Sequence, residues 1–167
     1  GHSVRRYEYK IRRSDSSVAF DDVPSRRVTS QQITITQLQD GTALVNGVAY
    51  DFRVAAVTDV GLGLEAVLDN QTPAGTPAAP TGLIVNASSG TALLEWTAPA
   101  DDGGSAISGH RVQYRVLGTD AWTDRDFASA AAAASVPGLA NGQTYEFRVA
   151  ATTSYDGVGA YSAISQR

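Results

Sequence analysis

An internal repeat limits the possible fold more than any other feature of the chain. The segment NGVAYDFRVAA at residues 46–56 returns as NGQTYEFRVAA at residues 141–151, with eight of eleven positions identical. In both copies a leucine lies six residues before the tyrosine, and a pair of glycines follows the segment. The repeat predicts two units with similar folds.

A second pair of segments shows where the two copies differ in length. YEYKIR at residues 7–12 matches HRVQYR at residues 110–115 at an offset of 103 residues, whereas the first pair is offset by 95 residues. The first copy therefore carries eight additional residues between its two segments. We expect them in QDGTALVNG at residues 39–47, because Asp-Gly and Asn-Gly are turn signals.

The two predicted units are joined by a stretch without charge. QTPAGTPAAP at residues 71–80 contains three prolines and mostly small residues, which is typical of a linker or of the approach to a strand. We therefore place one domain at residues 1–75 and the other at residues 76–167.

Apolar residues alternate with polar ones in both copies. Tyr145, Phe147 and Val149 are separated by Glu146 and Arg148. A period of two predicts half-buried strands in an antiparallel sheet that has one solvated face. Gly, Asn, Asp and Pro clusters recur about every ten residues, as in a β-sandwich. The predicted fold class is all-β.

Residues 77–167 resemble a fibronectin type III domain, and the resemblance is close to that family's bacterial branch. Pro80 and Val85 match the first strand of the family, and Trp96 matches the second. The segments YEFRVAA and GVGAYS match its last two strands, and the first of them begins with the family's tyrosine. It implies tandem immunoglobulin-like antiparallel β-sandwiches. It also implies a structural core that includes Trp96, Leu139, Tyr145 and Phe147, with Tyr145 bonding back to upstream backbone.

Two features depart from the family pattern. His110 stands where the family usually has tyrosine, whereas the matching position of the first copy keeps Tyr7. The first copy resembles the family only from its third strand onward, so it is expected to lack the first two strands. An apolar face would then be left for strand completion, formed by Tyr7, Tyr9, Ile11, Tyr50, Phe52 and Val54. Three explanations stay open: a fragment of a longer protein, strands supplied by a neighbouring chain, or poor order.

Composition excludes several classes of protein. The net charge of −4 argues against a dedicated nucleic-acid binder, whose affinity depends on an excess of Lys and Arg. The absence of cysteine excludes disulfides and thiolate metal sites. No apolar run approaches the ~18–20 residues that cross a bilayer. We therefore expect no nucleic acid and no membrane insertion.

Catalytic and metal-binding patterns are weak. The chain has two histidines: His2 lies near the start, and His110 lies at an inward position of a predicted strand. No serine lies in a Gly-x-Ser-x-Gly elbow, and no His-x-x-x-His or EF-hand spacing occurs. Asp101 and Asp102 lack the further ligands that a calcium site needs. We predict no catalytic residue, no cofactor, no metal and no enzyme activity.

Two surface features suggest ligands. Seven cations occur in the first 27 residues, and alternation places Arg6, Lys10 and Arg12 on one face, where Arg53 of the neighbouring strand joins them. These four residues form either a patch for a polyanion or partner, or a solvated face of cross-strand ion pairs. The aromatic residues without an assigned inward role are Tyr155, Tyr161 and Phe127, which are candidates for a carbohydrate platform.

The resemblance implies a spacer or interaction module of a larger extracellular or cell-surface protein, whose partners are the other domains of that protein. Two alternatives stay open. One is an accessory module that binds a polysaccharide or a protein within a secreted polysaccharide-degrading enzyme. The other is an adhesin or filament subunit that self-associates through the incomplete first repeat.

Overall fold

The computed structural model of the chain describes residues 3–155 and 157–167, so His2 lies outside the described residues. Within these ranges the chain forms twelve β-strands, all paired antiparallel, and one short 3-10 turn. The all-β prediction is therefore confirmed. The strands divide between two compact units, Gly1–Pro73 (unit 1) and Ala74–Arg167 (unit 2).

The described part of unit 1 contains one four-stranded sheet. Its strands are β1 (Val4–Arg13), β2 (Arg26–Val28), β3 (Tyr50–Thr58) and β4 (Gly61–Gln71), in the spatial order β2-β1-β3-β4. The 3-10 turn, Phe20–Asp22, lies between β1 and β2 in sequence. Alternation along β1 separates an apolar row from a charged row, because successive side chains point to opposite faces.

The strand register divides the eight additional residues of unit 1 between two connections. Tyr7 pairs with Val28, 21 residues later, whereas the equivalent His110 pairs with Phe127, 17 residues later. Four additional residues therefore lie between β1 and β2, so the prediction that all eight lie in residues 39–47 is wrong, and the other four lie between β2 and β3.

A small hairpin forms in this second connection. Gln37 and Ala43 pair across it, and the Asp40 side chain accepts a hydrogen bond from the Thr42 backbone N–H at 2.8 Å in the turn. In the orientation that satisfies both of its groups, the Gln39 side-chain amide pairs with the backbone N–H and C=O of Ile11 at 2.8 and 2.7 Å. Gln39 thus takes the place of a neighbouring strand at this point of β1.

Unit 2 is a sandwich of two sheets. Its strands are β5 (Thr81–Ser88), β6 (Thr91–Thr97), β7 (Ile107–Val116), β8 (Thr123–Phe127), β9 (Ala133–Pro137), β10 (Tyr145–Thr153), β11 (Gly157–Tyr161) and β12 (Ser165–Gln166). One sheet has the order β5-β6-β9, and the other has β11-β10-β7-β8 with β12 also paired to β10.

The core of unit 2 lies between these sheets. Leu94 and Trp96 of β6 face Val112 of β7 and Phe147 of β10, and all four side chains are buried. Leu139, Tyr145 and Tyr114 are partly buried and pack against this cluster. Burial of such side chains is the main stabilising term of the unit, at about 1.5–3 kcal/mol for each large apolar side chain.

Candidate functional site

A cluster of arginine and aromatic side chains lies on the outer face of the β7–β10 sheet of unit 2. The guanidinium groups of Arg115 and Arg148 each lie 4.3 Å from the centre of the Trp122 ring, and Arg148 lies 4.5 Å from the centre of the Tyr161 ring. These are cation–π distances. The cluster forms because Arg115 and Arg148 occupy outward positions on adjacent strands, as the alternation predicts.

Carboxylates and amides hold the cluster in place. The Arg115 Nε donates to Glu146 at 2.6 Å, and Gln166 donates to the other oxygen of Glu146 at 3.0 Å. The hydrogen bond from Arg115 is the largest cause that lowers the pKa of Glu146. Arg111 donates two hydrogen bonds to Asp126, at 2.7 and 2.8 Å, and these lower the pKa of that carboxyl group.

Arg148 differs from these arginines in its partners. Its Nε donates to the side-chain oxygen of Gln113 at 2.7 Å, and Gln113 in turn donates to Asp124 at 2.7 Å. Among residues 3–155 and 157–167, no carboxylate oxygen lies within 4.0 Å of the Arg148 guanidinium. Arg148 is therefore a cation that two rings and an amide hold in place without an acid.

Unit 1 carries a similar cluster around Phe20. The guanidinium groups of Arg12 and Arg53 lie 4.3 and 4.4 Å from the centre of that ring. Arg12 pairs with Asp51 at 3.3 Å, and Arg53 pairs with Glu65 at 3.5 Å. The two arginines of this cluster match those of unit 2, because Arg12 and Arg53 correspond to Arg115 and Arg148 in the repeat.

The four predicted surface cations of unit 1 lie on one face, and each has a partner. Arg6 pairs with Glu8 at 3.1 Å, and Lys10 donates to the Phe20 carbonyl at 2.8 Å. Arg12 and Arg53 contact Phe20 and their acids as described above. Arg6, Arg12 and Arg53 thus have acidic partners, whereas Lys10 bonds a neutral carbonyl. Neither Phe20 nor Trp122 is predicted as a site residue from the sequence; they are 102 residues apart, close to the offset of 103 between the adjacent repeat segments.

The predicted strand-completion face is partly covered. Ile11 and Tyr50 are only 1% exposed, whereas Val54 is 38% exposed. The remaining predicted members, Tyr7, Tyr9 and Phe52, are partly buried. An open groove of about 420 Å³ lies at one end of this face and is lined by Tyr7, Val54, Ile33, Leu64 and others.

The remaining candidate aromatics do not form a platform. Tyr161 lies against Arg148, Phe127 packs against the core of unit 2, and Tyr155 is 69% exposed. Stacking a sugar on Trp122 would have to compete with the two guanidinium groups that already lie against its ring.

His110 is a core residue. It is 1% exposed, its ring centre lies 4.9 Å from that of Trp96 in an edge-on arrangement, and its Nδ1 lies 3.1 Å from the Ser129 carbonyl. Burial lowers its pKa. The described residues contain no group of three or more His, Asp or Glu that could hold a metal ion. They also contain no helix long and apolar enough to cross a membrane.

Residues 78–167 match the fibronectin type III domain. The chain is 32% identical over 124 residues to mouse receptor-type tyrosine-protein phosphatase F, a match that covers 72% of this chain. It is 35% identical over 82 residues to mouse cardiac-type myosin-binding protein C, a match that covers 48% of this chain. Each match spans only 6% of the relative's own length.

Two solved structures share the fold. A structure of the titin kinase and its flanking domains is similar over 56% of this chain and 17% of its own, with a TM-score of 0.51 and 28% identity. Domains A168–A170 of titin are similar over 98% of this chain and 54% of their own, with a TM-score of 0.62 and 18% identity. The second likeness concerns the fold alone. The family match covers more than half of the chain, and the chain therefore belongs to the fibronectin type III family.

Proposed function

We propose that the chain is a non-catalytic spacer and interaction module of a larger multidomain protein. The observation that carries the proposal is the family match of residues 78–167, within a chain that corresponds to only 6% of much longer relatives. Domains of this family occur in such proteins as spacers or interaction domains. The relatives with enzymatic parts carry them in other domains.

The chemistry of the described residues supports a non-catalytic role. His110, their one histidine, is buried against Trp96 and has no route to a substrate. Catalysis by a side chain needs a base, a nucleophile or a metal within reach of a pocket. The outer faces of both units instead carry paired charges and stacked rings, which suit contacts with other polypeptides.

The proposal treats unit 1 as a second fibronectin type III-like unit, of the bacterial type, that lacks its first two strands. Three observations support a tandem: the sequence repeat, the same strand order around β1 and β3 as around β7 and β10, and the matching arginine clusters. The proposed domains are residues 1–75 and 76–167. The proposed extracellular or cell-surface location rests on family resemblance alone. The relatives do not decide it, because they include both a receptor and a myosin-binding protein.

Two measurements on the full chain test the proposal. Light scattering across a concentration range is expected to give a constant mass near 17.5 kDa. Native gels that contain soluble xylan, cellulose derivatives or chitosan are expected to leave the mobility unchanged relative to albumin. Retardation by one glycan would favour the carbohydrate-binding accessory module instead, and Tyr155→Ala would then test whether the exposed ring contributes.

A second candidate function is self-association through the open end of the unit 1 face. Val54, Leu64 and Leu68 are 38%, 99% and 58% exposed on one side of this sheet, and exposed apolar sheet surface favours association. This candidate predicts a mass that rises with concentration. Leu64→Lys should then return the mass to that of the monomer, whereas Leu93→Lys on unit 2 should not.

A further inference from the structure

The two arginine clusters differ at one corresponding position. Glu65 lies opposite Ala55 in the β3–β4 pair, and Tyr161 lies opposite Ala150 in the β10–β11 pair. Glu65 and Tyr161 are 96 residues apart, as are the glycines that begin β4 and β11. The carboxylate that neutralises Arg53 in unit 1 is therefore replaced in unit 2 by a ring that stacks on Arg148.

This replacement leaves the Arg148 guanidinium ordered and available. The rings of Trp122 and Tyr161 and the amide of Gln113 restrict its position. Its two terminal nitrogens donate no hydrogen bond to any described residue. Neither nitrogen is fully buried, so both are accessible to solvent. A guanidinium that is already ordered loses less side-chain entropy when it binds, and its planar fork matches a carboxylate.

The neighbouring acids are engaged elsewhere. Asp126 and Asp124 both pair with Arg111, at 2.7 and 3.4 Å, and Glu146 pairs with Arg115. The patch thus combines partly buried Arg, Trp and Tyr side chains with one unneutralised cation. These three residue types are the ones most enriched among the residues that contribute most to protein–protein binding.

We propose that Arg148 anchors a docking surface for an acidic segment of a partner protein, with one Asp or Glu carboxylate accepting two hydrogen bonds from its terminal nitrogens. This inference rests on the proposed role as an interaction module and names the chemistry of the partner. A carboxylate fits better than a phosphate group, because it brings one negative charge next to Asp124, whereas a phosphate group brings about two. A glycan is less suited because guanidinium groups already lie against the Trp122 ring.

The test is a titration of the full chain with a hexaglutamate peptide, followed by NMR of the arginine side-chain Nε–H groups. We expect a saturable shift of the Arg148 signal and at least about a fivefold weaker response at Arg53, which has its own acid. Hexaglutamine is the neutral control. Equal shifts at all arginines, no shift at Arg148, or tighter binding of inorganic phosphate than of hexaglutamate would overturn the proposal.

Matched variants separate a specific site from general charge effects. Tyr161→Glu supplies the acid that unit 1 has, and it should weaken hexaglutamate binding at Arg148 at least about fivefold. Glu65→Tyr makes the opposite change and should make Arg53 responsive. Arg148→Lys keeps the charge and loses the planar fork, so it should also weaken binding. Unchanged affinity in Tyr161→Glu, with native tryptophan fluorescence, would contradict the inference.

The failure of this inference and the failure of the proposed function give different results. A chain that stays monomeric and binds no glycan, yet shows no response at Arg148, keeps its role as a spacer without this partner. A chain that assembles or binds a glycan contradicts the proposed function, whatever the Arg148 signal does.

Discussion

The phenol oxygen of Tyr145 accepts a hydrogen bond from the backbone N–H of Ala140, five residues earlier, at 3.1 Å. Tyr50 makes the same contact with Val45 in unit 1, at 2.9 Å. Each contact ties the start of a central strand to the loop that precedes it. The tyrosine corner that the resemblance implies for Tyr145 is therefore present in both copies of the repeat.

Tyr145→Phe should destabilise unit 2 by about 1 kcal/mol, because the ring stays packed while one hydrogen bond is lost. Urea unfolding followed by tryptophan fluorescence measures this change, since Trp96 and Trp122 both lie in unit 2. Tyr50→Phe is the matched control and should leave the fluorescence transition in place. An unchanged midpoint in Tyr145→Phe would show that the contact contributes nothing measurable.

Leu94→Ala should cost unit 2 about 2–5 kcal/mol, because Leu94 is 1% exposed in the core and its truncation leaves a cavity. The adjacent Leu93 lies on the other face of β6 and is 49% exposed. Leu93→Ala should therefore cost less than about 1 kcal/mol, since surface substitutions usually have small effects. Equal losses in the same urea experiment would contradict the assignment of the core face.

His110 should make unit 2 less stable as the pH falls below 6.5. Burial lowers its pKa in the folded state from the usual 6.5, so the unfolded chain binds the proton more readily. The stability is then fully present above pH 6.5 and declines as the pH falls toward the folded-state pKa. His110→Gln removes this titration, so urea midpoints between about pH 5 and 7 should vary less in the variant. The same slope in both proteins would refute the prediction.

Glu146→Gln should destabilise unit 2 at pH 7 and make little difference in acid. Arg115 lowers the pKa of Glu146 below its usual 4.5, so its contribution is present above that value and is lost as the pH falls through the folded-state pKa. Unfolding of both proteins at pH 7 and at pH 3 tests this convergence. Glu95→Gln, at an exposed position of β6, makes the same change in net charge and is the matched control.

Gly103→Ala should destabilise unit 2 more than Gly118→Ala. Both glycines have positive φ, 73° and 87°, so the backbone strain of alanine is similar in the two variants. A Cβ at Gly103 would overlap the carbonyl of Gly75, whereas a Cβ at Gly118 meets no atom within 4 Å. The difference between the two thermal midpoints therefore measures the cost of the steric overlap. Equal midpoints would mean that the backbone at Gly75 and Gly103 moves apart without a measurable loss of stability.

The sequence by itself determined the repeat and the two faces of its alternating strands. Alternation with a period of two is a local property, so Tyr145, Phe147 and Val149 could be assigned to one face of β10 without any knowledge of the fold. The family resemblance identified the core position of Trp96. The number of additional residues in the first copy also follows from the repeat, because a difference in offset does not depend on tertiary contacts, but their division between the two connections required the strand register.

Only the tertiary structure decided which partners each outward side chain has. Phe20 and Trp122 come from segments without a periodic pattern, and their place beside two arginines depends on how those segments fold back. The hydrogen bonds between the Ile11 backbone and Gln39, 28 residues later, depend on that folding in the same way. Whether Arg53 and Arg148 have an acid depends on the residue that cross-strand register brings beside them, Glu65 or Tyr161. Such contacts join residues far apart in sequence, and periodicity carries no information about them.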